Sequence, residues 1–186
     1  MTKSNVSRAN LAKSGGKAAA APCACCGIAP DPRGRPFSIT LNLPDVYYEI
    51  HHELLDTWGD DPFLVIKDTG FYLRVILPVK LTDGFAVDFG TWLKVDPEVF
   101  RQAWQTWNFP EYKDLAFEGL LANRLEPWKP TLKTHVKARV LDVDKVPYIV
   151  ESPDALGARI IDETWPHADV FAPYVELLQD SPPVES

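Results

Sequence analysis

The sequence lacks an apolar run long enough to cross a membrane, and it lacks the motifs that identify common enzymes. Charged residues interrupt every apolar stretch well before the ~20 residues that a membrane-spanning helix needs. It has no phosphate-binding loop, serine-nucleophile elbow, His-Glu-x-x-His helix or Gly-x-Gly-x-x-Gly turn. No period of about 20–50 residues repeats, which excludes a solenoid or a propeller. We therefore expect a soluble protein without a recognisable catalytic motif.

Cysteine is also scarce. The three cysteines are Cys23, Cys25 and Cys26, so no framework of distant disulfides can form. The basic N-terminal residues are separated by Ser, Asn, Gly and Ala, and the apolar block of a secretory signal is missing. Both observations predict a reducing cytoplasm as the compartment.

The length of 186 residues suits one domain. Residues 1–21 are small and polar and carry Lys3, Arg8, Lys13 and Lys17, so we expect a disordered basic tail there. Residues 180–186 are predicted to form a loose C-terminal tail. Residues 22–179 then make up a single domain.

Charge is distributed unevenly along the chain. The first 30 residues carry a formal charge of +4, whereas the rest carries −11, which gives −7 in total. An acidic body repels phosphate backbones, so nucleic-acid binding is disfavoured.

Apolar periodicity predicts an α+β fold. An amphipathic helix is expected from Pro44 to Trp58, a β-hairpin over residues 71–95 and a helix that begins at Asp96-Pro97-Glu98. A strand is expected from Thr131 to Val140, a helix after Ser152-Pro153-Asp154 and a last helix over Val170 to Leu178. Because these elements do not alternate as βαβ units, we infer a mainly antiparallel β-sheet packed against a few amphipathic helices.

A cysteine knuckle is the strongest candidate for chemistry. Cys23 and Cys26 form a Cys-x-x-Cys-Gly motif, whose spacing lets two thiolates bind one zinc ion. Cys25 is an additional thiol, and a reduced thiol cluster or a redox-labile turn is the alternative. A structural zinc site needs four ligands, and the sequence has no second cysteine pair. The histidines, none at a diagnostic spacing, are His51, His52, His135 and His167. His167 is expected in a loop without a partner.

A second candidate site is a surface for another protein. Lys133, His135, Lys137 and Arg139 alternate along the predicted strand and concentrate positive charge on one face. Trp92 falls on the polar side of its own strand, and exposed tryptophans are typical of binding hot spots. The alternative interpretation is an ordinary solvated sheet face and a packed core.

Several segments follow one another in a recognisable order: Cys-Ala-Cys-Cys-Gly at 23–27, Leu-Pro-x-x-Tyr-Tyr at 43–48, the strands at 71–79 and 89–95, and Pro-Glu-Val-Phe at 97–100. Together they resemble a bacterial family, domain of unknown function 2199, over about residues 22–165. In that family a His typically follows the knuckle, whereas this chain has Ala29 and Pro30. The resemblance implies a strand over residues 117–124, and it implies no activity, since the family is uncharacterised.

These patterns favour a small bacterial protein that is not an enzyme and that binds another protein, for example as an accessory or immunity-type domain. No cofactor is expected in that case. The alternative is a zinc-stabilised protein or a metalloenzyme that uses the cysteine cluster.

Overall fold

The computed structural model describes residues 22–50 and 56–175. The predicted tails at 1–21 and 180–186 lie outside the described residues, as do His51 and His52.

In the part of the chain that the structure describes, a sheet of nine strands forms the framework. The strands are β1 (Phe37–Thr40), β2 (Thr57–Asp60), β3 (Phe63–Ile66), β4 (Gly70–Leu81), β5 (Ala86–Val95), β6 (Ala116–Leu121), β7 (His135–Arg139), β8 (Tyr148–Glu151) and β9 (Thr164–Trp165). Strands β4 to β8 form a closed ring, because β4 pairs with both β5 and β8. Among these described strands, six pairs are antiparallel, whereas β1 with β5, β4 with β8 and β4 with β9 are parallel. The predicted mainly antiparallel sheet is confirmed.

Strand β4 organises the sheet. One of its edges pairs with β5 in a long antiparallel hairpin, which the alternation at 71–95 predicted. Its other edge pairs in turn with β3, with β8 at Ile76 and with β9 at Lys80 and Leu81. The far end of β4 therefore lies next to the segment that leads into the C-terminal part of the chain.

Within the described residues, four α-helices pack around this sheet: α1 (Asp45–Glu49), α2 (Pro97–Thr106), α3 (Ala155–Asp162) and α4 (His167–Phe171). Helix α2 begins where the sequence predicts, with Pro97 in the first turn, and buries Phe100 and Ala103. Asp96 occupies the N-cap position, but its side chain makes no capping hydrogen bond. The mixed α+β class is thus confirmed.

The predicted helix from Pro44 to Trp58 is wrong in its extent. Helix α1 ends at Glu49, and Ile50 already has an extended backbone. Trp58 belongs to β2, where it pairs with Val65 of β3. Among the described residues of this apolar spacing, Tyr47 lies in α1 and Trp58 lies in β2.

The core lies inside the ring of strands and beneath the helices. Val75, Val87, Phe89 and Leu93 of the central hairpin are fully buried. A smaller cluster around Tyr72 and Trp92 packs against Val46 and Tyr47 of α1. Among the described residues, no helix has the length and apolar character that a membrane span requires.

Candidate metal centre

Three thiols and one imidazole meet at the far end of β4. The ligand atoms of Cys23, Cys25, Cys26 and His167 all lie within 4.8 Å of one another. The Nε2 atom of His167 lies 3.2 Å from the Cys23 sulfur and 3.1 Å from the Cys25 sulfur. Three sulfurs and one imidazole nitrogen form a ligand set that is typical of tetrahedral zinc sites.

The knuckle is a tight turn closed by its own backbone. The amide of Gly27 donates to the Cys23 carbonyl, and the amide of Cys23 donates to the Ile28 carbonyl, both at 2.8 Å. Gly27 has a positive φ of 72°, which a residue with a Cβ adopts only at a cost. This turn gathers the three sulfurs on one side of a short segment.

His167 reaches the thiols because a proline-led helix starts beside the β4–β5 turn. Pro166 precedes α4, and the amide of His167 donates to the Thr82 hydroxyl at 3.2 Å. His167 is buried, with 5% of the residue exposed, and its imidazole stacks on the Phe85 ring at 4.4 Å between ring centroids. These contacts fix the position of the ring.

The second ring nitrogen of His167 faces oxygen atoms. Nδ1 lies 3.0 Å from the Thr82 hydroxyl and 3.2 Å from a carboxylate oxygen of Asp83. When Nδ1–H donates to these oxygens, Nε2 carries the lone pair and directs it at the sulfurs. Histidines that bind metals usually donate their other N–H to a carboxylate or carbonyl in this way.

The contact between Cys23 and Cys25 separates the pKa values of the two thiols. Their sulfurs lie 2.7 Å apart. Hydrogen bonds from the side chain and backbone of Cys25, with a further one from His167, lower the pKa of Cys23 to about 6. The shared hydrogen bond with Cys23, followed by burial, raises the pKa of Cys25 to about 11. At neutral pH the metal-free cluster therefore holds a Cys23 thiolate, which is the form that binds metals.

The structure places Trp92 in the interior, which corrects the expectation of an exposed face. Its side chain is 2% exposed, and its indole N–H lies 3.2 Å from the carbonyls of Leu41 and Asn42. The guanidinium of Arg74 lies over the ring at 4.5 Å from its centroid. Trp92 is thus a core residue whose indole N–H has carbonyl acceptors.

Three residues of the predicted basic stripe, His135, Lys137 and Arg139, share one face of β7, whereas Lys133 does not. Lys133 lies in a turn before β7, with φ of 69°, and its amide donates to the Leu121 carbonyl. Strand β7 begins only at His135 and ends at Arg139, whose side chain is exposed. The prediction is wrong for Lys133 because a turn interrupts the alternation.

Acidic residues of neighbouring strands pair with the middle of the stripe. The His135 ring lies 3.2 Å from the Glu118 carboxylate of β6, and Lys137 lies 2.9 Å from the Glu151 carboxylate of β8. The ion pair of Lys137 with Glu151, and the Glu118 carboxylate beside His135, reduce the positive charge that the face offers to a partner. The stripe and Trp92 therefore do not form a common exposed surface.

Comparison with known proteins identifies the family. A family model described as "Uncharacterized protein conserved in bacteria (DUF2199)" matches residues 22–157. The chain belongs to this family. The DUF2199 match confirms the resemblance seen in the sequence, and the implied strand near residues 117–124 is present as β6. The matched region, residues 22–157, includes all three cysteines and ends before His167. No curated protein and no solved structure matches the chain.

Sequence reasoning found the thiols of this cluster but missed its histidine. His167 lies more than 140 positions after the cysteines, and spacing rules for zinc sites recognise ligands that are close in sequence. The expectation of a loop histidine without a partner is wrong, because His167 begins α4 and contacts two sulfurs.

Proposed function

We propose that this protein is a zinc-stabilised domain without enzymatic activity, in which Cys23, Cys25, Cys26 and His167 bind one Zn²⁺. The observation that carries this proposal is the convergence of the four ligand atoms within 4.8 Å. The orientation of the His167 ring by Thr82 and Asp83 supports it.

The chemistry of the ligands favours zinc. Thiolates select soft or borderline metals, and imidazole suits zinc, so hard cations such as Mg²⁺ and Ca²⁺ are poorly matched. Four protein ligands fill a tetrahedral coordination sphere. Catalytic zinc sites instead keep one position for water or substrate. The ligand count therefore favours a structural role over a metalloenzyme.

A metal ion at this position would connect three parts of the chain. The knuckle lies before β1, His167 starts α4, and the Thr82–Gly84 turn supports the imidazole. In the described structure the thiol–imidazole contacts join the knuckle to α4, and the His167 ring stacks on Phe85. Metal binding would thus contribute folding free energy. A reducing cytoplasm, which we propose as the compartment, keeps the thiols available.

Metal analysis of the purified protein tests this proposal. We expect one zinc ion per chain, and we expect His167→Ala and Cys25→Ser to lose most of it. Two matched controls should keep it: His135→Ala removes a histidine on β7, and Ala24→Ser changes the knuckle without removing a thiol. A folded, reduced protein without zinc, which binds none on addition, would contradict the proposal.

Recognition of another protein is a second candidate function, on a different surface from the one predicted. Trp58 and Trp104 are 56% and 45% exposed, and their ring centroids lie 5.1 Å apart. Trp104 also packs on buried Phe63, which anchors the pair to the core. Exposed, well-anchored tryptophans are enriched among binding hot spots.

Affinity purification with two forms of the protein tests this second candidate. A specific partner should be recovered with the wild type and lost with the Trp58→Ser, Trp104→Ser double variant, while the zinc content of the variant stays the same. Equal recovery with both forms would contradict a role for this tryptophan pair.

A further inference from the structure

We propose that Cys25 is a site of oxidation by hydroperoxides and that Cys23 converts the oxidised Cys25 into a disulfide, which releases the metal. This inference rests on the proposed zinc centre and adds a modification site to it. The candidate thiols differ in exposure, in distance from one another and in their contact with His167, and these differences assign a role to each.

Cys25 is the thiol that an oxidant reaches most easily. Its side chain is exposed, whereas Cys23 is partly buried and Cys26 is 9% exposed. A small peroxide can approach the Cys25 sulfur from solvent without opening the fold. Exposure and thiolate character determine which cysteine is oxidised first, and coordination to zinc keeps the sulfur in its anionic form.

Cys23 is placed to react with oxidised Cys25. The two sulfurs are 2.7 Å apart, and both lie against the same imidazole nitrogen. Cys26 is the more buried of the two remaining thiols. The geometry therefore favours a Cys23–Cys25 disulfide, with Cys26 left as a thiol.

The chemistry balances in two steps. In the first step the Cys25 thiolate attacks one oxygen of the hydroperoxide, the O–O bond breaks, and a sulfenic acid and one hydroxide (or alkoxide) form. In the second step the Cys23 thiolate attacks the sulfenic sulfur and displaces a second hydroxide. The two sulfurs together lose two electrons, and the peroxide gains them. Zinc keeps its charge and takes no part in the electron transfer.

Disulfide formation removes two of the four ligands from the metal. Cys26 and His167 would remain, and a tetrahedral structural site is not maintained by two protein ligands. The zinc ion would leave, and the link between the knuckle and α4 would be lost. A thiol reductant would restore both cysteines, and added zinc would then rebind.

Peroxide titration of the zinc-loaded full chain tests this inference. Zinc content is measured first, and hydrogen peroxide is then added while a chromogenic chelator reports free zinc. We expect one zinc ion released per peroxide consumed, and recovery of bound zinc after a dithiol reductant and zinc are supplied. The Ala24→Ser control should behave like the wild type.

Peptide mapping identifies the disulfide. Trypsin is expected to cut after Lys17 and Arg33, so one peptide, residues 18–33, carries all three cysteines. After oxidation and alkylation, this peptide should contain one disulfide and one alkyl group, and fragmentation should place the alkyl group on Cys26. The Cys26→Ser variant should form the same disulfide.

The outcomes separate this inference from the proposed function. Zinc that stays bound in excess peroxide, or an alkyl group found on Cys23 or Cys25, would overturn the oxidation mechanism and leave the zinc centre intact. A reduced protein without zinc would overturn the zinc centre and the release step, and the position of the alkyl group would still test the Cys23–Cys25 disulfide.

Discussion

Asp83 and His167 face each other at 3.2 Å between a carboxylate oxygen and Nδ1, although one lies in the β4–β5 turn and the other begins α4. Asp83 has a positive φ of 59° within this turn. The pair links a surface hairpin turn to the proposed metal ligands. A substitution of Asp83 should therefore change the affinity of the proposed centre for zinc.

The first prediction concerns this pair. Asp83→Asn should lower zinc affinity by about tenfold, because partners that orient a metal-binding histidine typically contribute 10–100-fold. Competition with a chelator of known affinity measures the change. Asp68→Asn is the matched control, since Asp68 also has a positive φ, of 62°, in another hairpin turn. Equal affinities for the wild type and both variants would contradict this role.

Zinc removal should destabilise the folded protein. Binding to the folded state alone adds about 2.7 kcal/mol to the free energy of unfolding when free zinc is 100 times its dissociation constant. Urea unfolding with and without a chelator measures this difference. The chelator should have no effect on His167→Ala, which lacks the imidazole ligand. A chelator effect of the same size in that variant would show that zinc stabilises the protein elsewhere.

A buried hydrogen-bond network around the Asn123 side chain provides a prediction that does not involve the metal centre. The Asn123 side-chain oxygen accepts hydrogen bonds from the Thr91 hydroxyl and the Trp92 amide, both at 3.0 Å, and its NH₂ group donates to the Leu43 carbonyl. Asn123→Ala should lower the free energy of unfolding by about 1–3 kcal/mol, because it leaves buried polar groups without partners. Chemical denaturation measures the loss.

The control for this hydrogen-bond network is Asn42→Ala. Asn42 is exposed, and its backbone carbonyl, which the substitution keeps, accepts hydrogen bonds from Arg74 and Trp92. Its stability should stay within about 0.5 kcal/mol of the wild type. Zinc content should be unchanged in both variants. A loss in Asn42→Ala as large as that in Asn123→Ala would contradict the network argument.

The half-buried carboxyl of Asp88 should make the free energy of unfolding depend on pH. Burial raises the pKa of this half-buried carboxyl above 3.8, and Lys145 opposes the shift. The folded state then binds the proton more tightly than the unfolded state, so stability falls as pH rises through the folded pKa. Asp88→Asn should therefore be more stable than the wild type at pH 7, and the difference should vanish below the unfolded pKa.

Unfolding curves from pH 3 to pH 7 check this sign. Asp162→Asn, an exposed aspartate at the end of α3, is the control for the loss of one negative charge. The prediction fails if Asp88→Asn is less stable than the wild type at neutral pH, or if the difference does not change with pH.

Local signals predicted the central fold well. The alternation at 71–95 predicted the β4–β5 hairpin, and Asp96-Pro97-Glu98 predicted the start of α2, because strand alternation and the preference for Pro and Glu in a first helical turn act over a few positions. The failure at 44–58 has the opposite cause. Trp58 pairs with β3, and that tertiary contact overrides a helical spacing.

The cysteines of the candidate site were predictable from the sequence, but its histidine was not, because that contact too depends on the tertiary structure. The Cys23 and Cys26 spacing is local and visible, whereas the contact with His167 is made by β4 and its turn, which bring α4 beside the knuckle. Trp92 was misplaced because its strand is buried on both sides, between α1 and the core. Alternation alone identifies a polar face only when one face of the sheet meets water.

X-ray absorption at the zinc edge of the loaded protein tests the central claim most directly. Three sulfurs and one imidazole nitrogen around one zinc ion predict a shell of three sulfur atoms at about 2.3 Å and one nitrogen atom at about 2.0 Å. His167→Ala should lose the imidazole signature. A first shell of oxygen and nitrogen without sulfur, or one that is identical in His167→Ala, would contradict the proposed centre.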